Sequence, residues 1–281
     1  MDKQIERRNL PIGIQTFEKI RKDNCVYVDK TQFVWELAKY KCPYFLSRPH
    51  RFGKSLFLST LKSYFEGRKD LFEGLAISKT ETEWKKYPVL YFDFNGQNYV
   101  DENTVNQTIS YRLKEYEKLY EVESIDASVS IRFKNLIKSV YEKTGEQVVV
   151  LVDEYDKPLL QNVGNAEVEN QIRNILKGFY GNLKSEDAFI RFVFITGVTR
   201  FDKGSIFSDL NNLNDISMSS EFSAICGISQ EEMELNFIPE IENMAEKMRL
   251  QKKNVCRLSK RITTAIIFLR MLKLTFIIHS V

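Results

Sequence analysis

The sequence predicts an α/β fold, a mostly parallel sheet flanked by helices, and two observations predict it. Short apolar runs alternate along the body with longer stretches of helical periodicity. One of those runs, residues 147–152, is apolar without alternation, as a central parallel strand covered on both faces should be. Taken in order, Pro43-Tyr-Phe-Leu-Ser47 reads as the first strand. A helical run over residues 54–65 follows, with Leu58, Leu61 and Phe65 on one face and Gly67 placed to cap it. Val89-Leu-Tyr-Phe-Asp-Phe94 reads as a second strand. Val105, Ile109, Leu113, Tyr116 and Tyr120 then recur at helical spacing, as do Ile131, Leu136, Ile137 and Val140 before Gly145. After the third strand at 147–152, a helix carries Val168, Ile172, Ile175, Leu176, Phe179 and Leu183 along one stripe. Arg191-Phe-Val-Phe-Ile-Thr196 is the fourth strand.

Beyond residue 228 the pattern changes. Ser229-Gln-Glu-Glu232 is a capping-box signature that opens a short helical extension, residues 229–251. The last stretch, 252–281, has neither turn chemistry nor strand alternation. Residues 247–281 hold nine Lys or Arg and no acid, so the remaining 246 residues carry 32 basic against 38 acidic side chains. The body is therefore mildly acidic and the tail wholly basic, although the net charge of the whole is only +3. Such a small net charge does not by itself imply a nucleic-acid partner. A composition of 43% hydrophobic and 28% charged residues excludes a disordered or fibrous chain. The cysteines, Cys25, Cys42, Cys226 and Cys256, form no CxxC pair, and His50 and His279 are the only histidines, which argues against a zinc site. The apolar run at 266–278 contains Arg270 and Lys273 and is too short to span a membrane. With no signal peptide, the cytoplasm is the expected compartment.

Two motifs carry chemistry. Between the first strand and the first long helix stands Arg48-Pro-His-Arg-Phe-Gly-Lys-Ser-Leu56. A phosphate-binding loop works because successive backbone N–H groups at a helix start converge on anionic oxygens. A lysine then reaches the β- and γ-phosphates, and a Ser or Thr hydroxyl binds magnesium. Gly53, Lys54 and Ser55 fit these roles, with Arg51, Phe52 and Leu56 completing the nucleotide-binding turn. Arg48 stands where the motif has its first glycine, so the loop must bend differently. The competing reading is a turn whose Lys54 is simply solvated.

The second motif is Val148-Val-Val-Leu-Val-Asp-Glu154, which places two carboxylates at the C-terminal edge of a buried strand. In an open parallel sheet that edge is where ligands bind. Asp153 would serve a magnesium shell and Glu154 would position a water. The alternative is a polar strand end entering a loop closed by Lys157 and Pro158. The fourth strand ends in Thr196-Gly-Val-Thr-Arg200, where Thr196 could contact the γ-phosphate or the water and Arg200 could offset transition-state charge. A backbone cap and a surface arginine are the competing roles. Together these features place the chain in the P-loop NTPase type of α/β fold.

Further segments fit that reading. Tyr27-Val-Asp-Lys-Thr31, Tyr64-Phe-Glu-Gly67, Leu71-Phe-Glu-Gly-Leu75, Val152-Asp-Glu-Tyr-Asp-Lys-Pro158, Ile195-Thr-Gly-Val-Thr-Arg-Phe201 and Ser205-Ile-Phe-Ser-Asp-Leu-Asn-Asn-Leu213 stand beside the 48–56 loop. Jointly they resemble the bacterial AAA-ATPase-like family over about residues 8–235. The resemblance implies an additional-strand P-loop ATPase with Walker A and Walker B elements, ATP and Mg2+ as its ligands, and an Arg-Pro pair native to the loop. By position it implies Lys54 and Ser55 on phosphate and magnesium, Asp153 and Glu154 as the Walker B pair, and Thr196 near a sensor position. Asp29-Lys30-Thr31 belongs to the signature without an evident physical role. The family typically continues into a region resembling PD-(D/E)xK nucleases. After residue 200 this chain has no acid two positions before a lysine, so that chemistry is expected to be absent. The expected organisation is an ATPase-like domain over 1–228, the extension, and a tail that reads as truncated or as an altered reading of the coding sequence. A basic tail contacting nucleic acid is the competing reading. The leading functional expectation is Mg-dependent ATP hydrolysis, and its alternative is a nucleotide-dependent switch or binding module without turnover.

Overall fold

The computed structural model describes residues 9–200, 206–208 and 210–247. Helices α1 (Phe17–Lys22) and α2 (Thr31–Ala38) precede strand β1 (Pro43–Ser47), which leads into α3 (Lys54–Phe65). Strand β2 (Val89–Asp93) is followed by α4 (Glu102–Leu119) and α5 (Val129–Thr144), and then by β3 (Val148–Asp153). The short α6 (Lys157–Leu160) and the long α7 (Ala166–Ser185) lead to β4 (Ile190–Gly197) and a two-residue edge strand, β5 (Asn214–Asp215). Helices α8 (Gln230–Asn236) and α9 (Ile238–Lys247) come last among the described residues.

The five strands form one parallel sheet in the order β2-β3-β4-β1-β5. The expected α/β class is therefore observed, and β4 lies between β1 and β3. This insertion places the end of β4 between the 48–56 loop and the Asp153-Glu154 pair.

Period-two alternation divides the strand side chains between two cores. On one face Phe92, Val150, Val152 and Ile195 pack against α4, α5 and α7. Phe133 of α5 and Phe179 of α7 stack at 4.3 Å, and both ring edges meet Phe92, at 5.3 and 5.1 Å. On the other face Leu46, Val149, Leu151 and Phe194 pack against α2 and α3. Leu58, Leu61 and Phe65 of α3 are buried as their spacing predicts, each stabilising the fold by about 1.5–3 kcal/mol. Gly67 ends that helix with φ 70°, a conformation glycine adopts without strain.

One stripe residue differs from expectation. Ile131 is 54% exposed, and Phe133 takes the core position of that turn instead.

The capping box opening α8 is formed: the Ser229 hydroxyl accepts from the Glu232 N–H, and the Glu232 carboxylate accepts from the Ser229 N–H. Helices α8 and α9 do not stand apart from the body. Met233, Phe237 and Ile241 pack with Val26, Leu10 and Ile12 of the N-terminal segment in a third, smaller core. The expected tail at 252–281, with its apolar run, lies outside the described residues, as does the end of the expected extension. Among the described residues no helix is long and apolar enough to cross a membrane.

Candidate functional site

The segments that follow the C-terminal ends of β1, β2 and β3 border a cavity of about 740 Å3. Residues 50–57 form its floor, Glu154 and Asn95 border it, and residues 225–228 with the N-terminal segment wall it. Nothing in the strands alone predicts those walls, because they come from segments some 200 residues apart.

The loop bends differently from a glycine-first phosphate loop. Arg48 has an ordinary backbone conformation, and the positive φ values fall on Arg51 (63°) and Gly53 (96°). Arg48 instead serves as a brace. Its guanidinium donates to the carbonyls of Ser47, Ser217 and Phe222, at 3.0, 2.6 and 3.4 Å, tying the loop to the segment after β5. Gly227 has φ 80°, and a Cβ there would lie 2.8 Å from the Phe52 ring, so glycine suits the position on both counts.

Gly53 precedes α3, and among the described residues no side chain caps that helix start. No acid occupies its first turn either, so the helix presents free N–H groups and its positive dipole end to the cavity. Lys54, Ser55 and Leu56 all line it. The Lys54 ammonium, 3% exposed, donates to the carbonyls of Arg48 (2.9 Å) and Pro49 (3.3 Å) and pairs with Glu154 Oε1 at 3.0 Å. Lys54 is therefore not a solvated lysine.

Glu154 is buried and has φ 53°, uncommon for a residue with a Cβ. Its Oε2 is buried without a hydrogen-bond partner among the described residues. A buried orphan oxygen of this kind is costly in a folded chain and clusters at functional positions. His50 Nδ1 approaches the other oxygen at 3.8 Å from a solvent-exposed position.

Asp153 is fully buried and held from several sides. Thr196 donates its hydroxyl at 2.6 Å, the Tyr91 phenol reaches it at 3.4 Å, and the Ser55 hydroxyl favours its charged form. Burial holds its carboxyl above the usual carboxylate range, and the charges of Asp93 and Glu154 add to that. The hydrogen bonds from Ser55 and Thr196 oppose the shift without cancelling it. Among the described residues no basic side chain forms an ion pair with this carboxylate. A hydroxyl beside a carboxylate is a hard-oxygen pair, the donor chemistry magnesium takes.

The sequence-predicted residues separate into three groups. Arg51, Phe52, Gly53, Lys54, Ser55, Leu56 and Glu154 are brought together around the cavity. Asp153 and Thr196 lie behind it, Asp153 joined to Ser55 and Thr196 acting through Asp153. Arg200 is elsewhere: it pairs with Asp215 of the edge strand at 3.1 Å, does not line the cavity, and is more than half exposed.

Four positions at or beside the cavity were given no role from sequence. Asp156 accepts from the N–H groups of Val198 and Thr199 and from the Thr199 hydroxyl, fixing the turn after β4. Gly197 makes that closure possible, since a Cβ there would lie 2.4 Å from the Tyr155 ring and 2.8 Å from Asp156 Oδ1. Asn95, which accepts from the Lys157 ammonium at 3.2 Å, reaches the cavity from the end of β2. Lys30 lines it from the Asp29-Lys30-Thr31 signature, whose role the sequence left open. For the first three the only signal was the clustering of Asp, Gly and Asn at strand ends.

The chain matches the family described as Predicted AAA-ATPase over residues 11–207. It is also 42% identical, over 241 residues, to a protein of Azotobacter chroococcum mcd 1 named only as an uncharacterized protein in the vnfD 5'region. That alignment covers 85% of this chain but 47% of the relative, so the chain spans about half the relative's length.

Proposed function

Because the chain belongs to the predicted AAA-ATPase family, we propose that the cavity binds ATP and that the chain hydrolyses it with magnesium. One observation carries this reading: Lys54, Ser55, Asp153 and Glu154 converge where an uncapped helix start opens at the C-terminal edge of a parallel sheet. The free N–H groups of the first turn of α3 and the Lys54 ammonium hold the phosphate chain. The apolar walls, among them Ile14, Val26, Val28, Ile228 and Phe237, take the base. The preference for ATP over other nucleotides follows the family.

Ser55 and Asp153 would hold the magnesium ion, which when bound neutralises charge on the transferring phosphoryl group. Thr196 and Tyr91 keep the Asp153 carboxylate oriented toward Ser55. Glu154 orients the attacking water once its oxygens leave Lys54, whose ammonium then turns to the phosphates. Arg200 is assigned no part in this chemistry, being tied to Asp215.

A nucleotide-binding module without turnover is the second reading, and the Lys54–Glu154 pair favours it. A glutamate held on that lysine does not orient water.

Equilibrium binding of a fluorescent ATP analogue tests the proposal. Lys54→Ala should abolish binding, and Ser55→Ala or Asp153→Asn should remove the part of the affinity that magnesium adds. Binding that survives Lys54→Ala unchanged would sink the assignment of the loop.

A further inference from the structure

Lys30 is a buried cation that the function proposed above leaves unused. Its neighbours fix its direction. Asp29 Oδ1 accepts the N–H (2.8 Å) and hydroxyl (2.6 Å) of Thr31, and Asp29 Oδ2 accepts the Ala76 N–H at 2.7 Å. The Thr31 hydroxyl in turn accepts the Ile77 N–H at 3.1 Å. Asp29 and Thr31 thus clamp the backbone against residues 76–77, and Lys30 between them is aimed into the cavity.

There Lys30 is 7% exposed and pairs with Glu232 at the start of α8. An apolar side chain would fill such a place at lower desolvation cost, so an ion pair there suggests a use beyond stability. The charge of Lys30 also bears on the same wall residue as that of Lys54. Burial holds the Cys226 thiol up at about 12 even though the charges of Arg48, Lys30 and Lys54 all lower it. The two lysines therefore flank one chamber. Glu232 is doubly engaged, with one oxygen on Lys30 and the other on the Ser229 N–H of the α8 capping box.

We propose that Lys30 is a second cationic contact for the phosphate oxygens of the bound nucleotide, and that it exchanges Glu232 for them on binding. The exchange makes α8, which packs on the N-terminal wall through Met233, responsive to occupancy of the cavity.

This inference rests on the nucleotide-binding reading, and the experiment separates the two. A fluorescent ATP analogue is titrated into the full chain and into Lys30→Met, Lys30→Arg and Glu232→Gln, with thermal unfolding of each variant recorded without nucleotide. Lys30→Met should bind about tenfold more weakly, the loss of one charge-assisted contact. Lys30→Arg should retain most of the affinity. Glu232→Gln should bind at least as tightly as the wild type, because the competing carboxylate is gone. A purely structural ion pair gives a different pattern, with both Lys30→Met and Glu232→Gln weakening binding alike. That pattern, or unchanged affinity in Lys30→Met, overturns the inference. Should Lys30→Met fail to fold, the Glu232→Gln result decides: tighter or equal binding supports the exchange and weaker binding overturns it. A wild-type chain with no Lys54-dependent binding overturns the function itself, and this inference with it.

Discussion

Replacing Lys54 by Met should destabilise the nucleotide-free chain through Glu154, and by a large amount. The ammonium is 3% exposed and makes three contacts, to Glu154 Oε1 at 3.0 Å and to the carbonyls of Arg48 and Pro49. Removing it leaves a buried carboxylate whose Oε2 has no hydrogen-bond partner among the described residues and whose other oxygen is approached only by the exposed His50 imidazole, at 3.8 Å. Breaking one side of a buried pair costs about 3–5 kcal/mol. In a domain of this size that lowers the melting temperature by roughly 6–20 °C. Glu154→Gln should cost only about 1 kcal/mol, since the amide still accepts from Lys54 and the two carbonyls remain. The double variant buries no charge, so it should be more stable than the sum of the single losses by about 2–3 kcal/mol. Urea unfolding of the four proteins without nucleotide measures this coupling. If the double loss equals the sum of the singles to within about 0.5 kcal/mol, the pair is not the coupled element described above.

Two further outcomes follow from the same geometry. Gly197→Ala places a Cβ 2.4 Å from the Tyr155 ring, which is buried against Phe45 and Phe207 and cannot swing away. It should cost about 1–3 kcal/mol and weaken nucleotide binding by displacing the Asp156 clamp, both visible in one thermal-shift series with and without ATP. Glu186, at the end of α7, is pushed up by burial, but its hydrogen bonds from Lys134 and Ser185 and the charge of Lys138 outweigh this and hold its carboxyl below the usual value of 4.5. A lowered folded-state value means stability present above 4.5 and lost as pH falls through it. Glu186→Gln should therefore be less stable than the wild type at neutral pH by about 1 kcal/mol at most, given the half-exposed lysines, and the difference should shrink as pH falls below 4.5 through the lowered folded-state value. A difference that persists in acid would remove the ion pair as its cause.

The strands and helices of the body were legible because their periodicities are strong. Residues 43–47 and 54–65 were placed with the bounds the fold gives them. Strand order was not legible, since the four apolar runs carry no mark of which neighbour each pairs with, and β4 enters between β1 and β3. Of the site, the residues on strand ends and at the start of α3 could be read, because chemistry and local structure coincide there. The role of Arg48 could not, as it depends on carbonyls 169 and 174 residues away. Arg200 was expected at the site for its place after a strand, but its partner Asp215 lies on the edge strand, whose two residues carry no pattern. The role of Lys30, singled out only as part of a signature, was illegible for the same reason, its partner being 202 residues distant.

Steady-state phosphate release from Mg-ATP, measured for the wild type, Lys54→Ala and Glu154→Gln, tests the central claim most directly. The account predicts turnover by the wild type, none by Lys54→Ala for want of binding, and none by Glu154→Gln despite retained binding. Turnover that survives Glu154→Gln would contradict it, because the carboxylate at the heart of the site would then not be the group that orients the water.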